Sequence, residues 1–196
     1  AMFPPHKIDL PPWPEDEFGA DAPERNRVLY QMLNMAEDDL DDVYGLMAVY
    51  YGMVRFIDDG LGQIIDALEA LDLRKNTIVV FCSDHGDFMG EHRMQCKGGV
   101  FYDCLTRVPL IVSYPGEIST GVRDDSMVNL IDVVPTLFQL QGIEIPPTMQ
   151  GQPLPTVTST APRDATFSEY GTGGPLFRLE DLEQLPRPWG RQSLIQ

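Results

Sequence analysis

Asp84 and His85 stand side by side just beyond the apolar run Ile78-Val79-Val80-Phe81, with Gly86 and Asp87 after them. A carboxylate and an imidazole so placed can both face one divalent cation, which would act as a Lewis acid on an ester oxygen. Further on come Gly90-Glu91-His92 and Lys97-Gly98-Gly99. An ammonium such as that of Lys97 is a compact donor for oxygens on which negative charge grows as an ester bond breaks. Histidine titrates near neutrality, so His92 is a candidate proton donor to a leaving alkoxide. Taken singly, each has a plainer reading: an Asp after a strand caps a turn, and a lone His or Lys sits at the surface. Only their order and spacing together point to chemistry.

Those residues need a sheet edge and supporting helices. Residues 77–83 read as a central strand of a parallel sheet, because strands buried on both faces are continuous in Val, Ile and Phe, and ligands gather beyond their carboxyl ends. Gly86 lets the backbone turn away at positive φ if needed. Arg107-Val108-Pro109-Leu110-Ile111-Val112 reads as the next strand. Upstream, Val43, Met47, Tyr50, Val54, Ile57, Leu61, Ile64, Ile65, Leu68 and Leu71 recur at threes and fours. That period predicts a long helix over 37–71, preceded by a shorter one over 23–35 and packed by its apolar face on the sheet. Gly52 and Gly60 inside it cost about 1 kcal/mol each relative to Ala. Asp58 and Asp59 diverge by about 100° on a helix and read as its polar face rather than a carboxylate pair.

A second helix is expected over 130–141, with Asp132 near its start, Pro135 in its first turn and Gly142 closing it. Residues 151–162 read as loop, 165–170 as a short strand, 171–174 as a turn and 189–196 as a further strand that breaks off. Residues 1–23 carry six prolines and an acidic cluster and read as an extended surface connector.

The 196 residues carry 14 Lys plus Arg against 30 Asp plus Glu, a formal charge of −16. That balance speaks against nucleic acid as a partner, since phosphate contacts need basic side chains. No apolar run is long enough to cross a bilayer, so no membrane partner is expected. Cys82, Cys96 and Cys104 make neither a four-cysteine zinc set nor an even disulfide framework.

Taken together, Ser83-Asp84-His85-Gly86-Asp87, Gly90-Glu91-His92, Lys97-Gly98, Tyr102 and Arg107-Val108-Pro109-Leu110-Ile111-Val112 resemble the C-terminal part of the catalytic domain of type I sulfatases, within the alkaline phosphatase superfamily. The likeness extends upstream to Tyr50-Tyr51 and Asp58, and downstream through Ile131-Asp132-Val133-Val134-Pro135-Thr136-Leu137 and Gln150-Gly151. It implies an α/β fold, part of an alkaline-phosphatase-like sandwich with a central, mostly parallel sheet flanked by helices and truncated at both ends. Residues 24–196 would then be an incomplete sulfatase catalytic domain behind a connector at 1–23.

By this resemblance Asp84 and His85 are metal ligands and Lys97 binds sulfate, while His92 has a weaker claim because the family's leaving-group histidine comes from elsewhere. Oxygen ligation favours calcium, and the imidazole leaves manganese, magnesium or zinc open. The family's nucleophile, a formylglycine made within Cys/Ser-x-Pro-x-Arg, has no matching motif at any of the three cysteines or at a serine. It is expected in an N-terminal part of the same domain, a partner without which this chain should turn over nothing and could self-associate through exposed core surface. The intact protein would hydrolyse a small-molecule or saccharide sulfate ester. The alternatives are a phosphonate monoester or phosphodiester hydrolase of the same superfamily, and a noncatalytic sulfatase-like binding remnant.

Overall fold

The computed structural model describes residues 2–13, 17–35, 40–158 and 160–170. The expected turn at 171–174 and strand at 189–196 lie outside them. The chain forms two compact units, each interrupted in sequence: the described parts of the first fall within 1–59, 85–107 and Tyr170, and those of the second within 60–84 and 108–169.

In the first unit, α1 (Glu24–Leu33) begins directly after Pro23, whose fixed φ suits a helix entrance. The long helix α2 (Leu40–Ala70) starts in this unit with Asp41 and Asp42 in its first turn, where carboxylates complement the helix dipole. Its Val43 and Met47 are buried with Ile8 and Met35. The proline-rich segment is thus more than a surface connector: a 3-10 turn at Pro5–Lys7 leads Ile8 into the core, and Phe18 stacks on Tyr30 with ring centroids 4.2 Å apart.

The expectation that the whole apolar face of α2 packs on a sheet is not met among the described residues. Met53, Val54, Phe56, Ile57 and Ile64 are exposed, Phe56 by 80%. Asp58 and Asp59 do lie on the polar face, both within ion-pair distance of Arg55. No helix among the described residues is long and apolar enough to cross a membrane.

The second unit carries β1 (Val79–Cys82), paired with β4 (Leu110–Ser113). The pairing is antiparallel, Val79 opposite Ser113 and Cys82 opposite Leu110, which corrects the parallel reading for this pair. The 27 residues between them reverse the chain through a loop, a short hairpin and the one-turn helix α3 (Asp103–Thr106) instead of carrying it back over the sheet in a long helical crossover. With one partner strand described, β1 is only half-buried despite its continuous apolar run. Arg74 sits in a 3-10 turn (Arg74–Asn76) and donates to the Thr77 carbonyl and the Ser113 hydroxyl, tying the turn to the strand pair.

The predicted second helix forms as a 3-10 turn (Leu130–Asp132) running into α4 (Val133–Leu140). Gly142 closes it at φ +68, with the Ile143 N–H bonded to the Phe138 carbonyl and the Gly142 N–H to that of Gln139, a Schellman end. Residues 151–162 are not all loop, since Pro155–Thr158 make one helical turn, and 165–170 form no strand; Met127 and Arg163 make an isolated bridge instead.

Asp132 organises this half. Only 1% exposed, its carboxylate accepts the Asn129 N–H at 2.7 Å, the Gln152 N–H at 3.0 Å and Arg163 Nη2 at 2.7 Å. Gly151 is obligatory beside it, because a Cβ there would collide with the Ile131 carbonyl. Replacing Asp132 by Ala strands a half-buried guanidinium and two backbone donors. Equilibrium unfolding of Asp132→Ala should show a loss of about 3–5 kcal/mol, with Asp132→Asn intermediate.

Candidate functional site

The loop leaving β1 carries the candidate residues. Ser83 and the exposed Asp84 are the last residues of the second unit before the chain passes to His85 in the first. Nδ1 of His85 lies 2.9 Å from the Gly86 carbonyl oxygen. That oxygen can only accept, so the bond makes Nδ1 the donor and, in a neutral ring, Nε2 the acceptor, the tautomer by which metal-binding histidines are oriented. Gly86 is not at positive φ. Its reason is close approach: the Gly86 N–H donates to the Leu105 carbonyl at 2.9 Å, and a Cβ would run into the Cys104 carbonyl.

Two short strands, β2 (Phe88–Met89) and β3 (Gln95–Cys96), then pair as an antiparallel hairpin. Beyond it Lys97 Nζ comes to 4.0 Å from Asp87 Oδ1. The Lys97 backbone is closely held, since Cys96 adopts φ +63 and a Cβ on Gly98 would strike Leu29 of α1.

His92 is placed otherwise. Half-buried, it sits at φ +57 in the hairpin turn, its ring 4.1 Å from that of Tyr102 and edge-on to Phe88. Its Nδ1 lies 2.6 Å from Glu17 Oε1, out of line for a hydrogen bond, so the contact is an ion pair when the ring is protonated. Asn26 Nδ2 donates to the Tyr102 hydroxyl at 3.0 Å. The turn is further strapped by Trp13, which donates to the Gly90 carbonyl at 2.6 Å while Arg93 lies over its indole ring. The structure therefore brings Lys97 to Asp87 and gives His92 to a cage of Glu17, Phe88 and Tyr102.

The surroundings are acidic. Burial, then Asp87 and Glu91, raise the Tyr50 phenol above its ordinary value, and burial followed by Glu17 does the same for Tyr102. Among the described residues no three His, Cys, Asp or Glu converge as a cation site. Asp84 and His85 are donors of the right chemistry for a hard or borderline divalent ion, and such an ion would complete its shell with water, substrate or other donors. Asp87, Glu17 and Tyr102 are not legible in the sequence as partners, because each meets its residue across a fold contact.

The cysteines differ sharply. Cys82 and Cys96 are exposed, whereas burial, aided by Glu91, pushes the Cys104 thiol up to about 11. Thiolate is the reactive form, so iodoacetamide at pH 8 should alkylate Cys82 and Cys96 and spare Cys104 until the chain is unfolded. Because the folded chain holds the Cys104 proton more tightly than the unfolded one, this thiol should subtract stability as pH rises from about 9 to about 11. Peptide mapping and unfolding across that range check both.

The chain is similar to several known proteins. The chain is 39% identical over 121 residues to Arylsulfatase K of Mus musculus, covering 62% of this chain and 22% of that protein. Phosphonate monoester hydrolase SpPMH from Silicibacter pomeroyi superposes with a TM-score of 0.70 at 27% identity, over 84% of this chain and 34% of that one. BT4656, solved in complex with its substrate D-glucosamine-2-N,6-O-disulfate, superposes with a TM-score of 0.54 at 29% identity, over 68% of this chain and 27% of that one. The chain thus spans about a fifth to a third of the length of these relatives, and the α/β fold is part of an alkaline-phosphatase-like architecture. The sulfatase family model matches residues 3–143, and the chain belongs to the sulfatase family.

Proposed function

We propose that the whole protein hydrolyses a sulfate ester, with Asp84 and His85 holding a divalent cation and Lys97 binding the anionic group. The observation that carries this reading is the return of Lys97 to Asp87, two residues beyond His85, through the β2–β3 hairpin. A cation bound by Asp84 and His85 supplies Lewis-acid polarisation of an ester oxygen. The residues of this chain do the rest locally: the Gly86 carbonyl fixes the His85 tautomer, and the Lys97 ammonium orients the ester and offsets charge growing on its oxygens. Calcium is the first candidate, with manganese, magnesium and zinc behind it. The nucleophile is assigned to a formylglycine carried by another segment of the protein. That segment is also proposed to cover the open apolar face of α2 at Met53, Val54, Phe56 and Ile57, which otherwise invites self-association.

Likeness to BT4656 supports a sulfated saccharide as substrate class. Likeness to SpPMH supports a second reading, a phosphonate monoester hydrolase. For His92, burial against Tyr102 and pairing with Glu17 favour a role in holding the loop over the proton-donor role.

In the full-length protein, Lys97→Ala should lower kcat/KM for 4-nitrophenyl sulfate by about a hundredfold or more. Chelation should abolish turnover, and calcium should restore it better than manganese. Faster turnover of a phenyl phosphonate ester than of the sulfate would favour the second reading, and Lys97→Ala without effect would sink both. His92→Gln should lower thermal stability while leaving the pH–rate profile in place; loss of its basic limb would reinstate His92 as the proton donor.

A further inference from the structure

The reading above uses Asp87 only as a landmark for Lys97 and gives it no task of its own, yet the hairpin aims it at Lys97. The strands pair Phe88 with Cys96 and Met89 with Gln95. The next position outward on each strand is Asp87 on one and Lys97 on the other, directly opposite in register, where cross-strand side chains interact. Their separation, Nζ to Oδ1, is 4.0 Å. The Lys97 backbone is held by the left-handed Cys96 before it and by Gly98 packed on Leu29 after it. Its side chain is not, being 56% exposed on a flexible stem. Asp87, only 29% exposed, is the better-anchored partner, with the Tyr50 phenol and Glu91 close enough to share its field. At that separation the pair is a charge contact and not a hydrogen bond, so the three donors of the ammonium stay available for ester oxygens.

We propose that Asp87 is a positioning residue that holds the Lys97 ammonium in place before substrate arrives. The inference rests on the reading of Lys97 as the anion-binding lysine.

Two experiments test it. In this chain, Asp87→Asn should shift the Lys97 Nζ and Cε NMR resonances and Asp87→Glu should largely retain them; indifference of Lys97 to Asp87→Asn would overturn the pairing whatever the enzyme does. In the full-length protein with 4-nitrophenyl sulfate, Asp87→Asn should cost about tenfold or more in kcat/KM, Asp87→Glu should recover most of that, and in a Lys97→Ala background Asp87→Asn should cost nothing further. The same loss in both backgrounds would overturn the positioning role alone. A Lys97→Ala enzyme of unchanged kcat/KM would instead bring down the anion-binding reading, and the inference with it.

Discussion

The loop after β1 has little regular structure to hold it, and two side chains take that part. Phe88 and Met94 are wholly buried, with Val100 and Leu105 in the same cluster and Phe18, Leu29, Tyr30 and Leu33 packed around them. Burying a side chain of that size contributes about 1.5–3 kcal/mol, while the hairpin they belong to has only two paired positions on each strand. Burial therefore sets where the hairpin lies, and the hairpin sets where Lys97 meets Asp87. The same anchoring explains how left-handed backbone at His92, Arg93 and Cys96 persists, because strained dihedrals survive where surrounding packing over-determines them.

The second unit is held by a different force. A single carboxylate, Asp132, gathers the Asn129 and Gln152 amides and the Arg163 guanidinium, and the Thr136 hydroxyl bridges the Asp132 carbonyl to the Leu154 N–H. A charge so deeply buried is tolerable only because its acceptor sites are occupied. The result is that segments up to 31 residues apart are tied to one carboxylate.

The likeness to sulfatases rests on local order: Ser83-Asp84-His85-Gly86-Asp87, then Lys97-Gly98, then the β4 run. Chain order of that kind survives without coordinates, as do helix periodicity and the Gly142 stop, because each reflects physics acting within a few residues. The direction of strand pairing does not, and an apolar run reads alike whether its partner is parallel or antiparallel. The exposure of Phe56 and Ile57 was equally hidden, since periodicity marks a face and not what covers it.

By itself the sequence determined the three longer helices, the strands at Val79–Cys82 and Leu110–Ser113, and the family. Tertiary structure alone decided that Lys97 stands opposite Asp87, that His92 belongs to a cage with Glu17 and Tyr102, that Gly86 is a glycine for contact with the Cys104 carbonyl, and that Asp132 is a buried keystone. The physical reason is common to all four. Each depends on groups from 10 to 75 residues apart in sequence, joined by packing that no local pattern encodes.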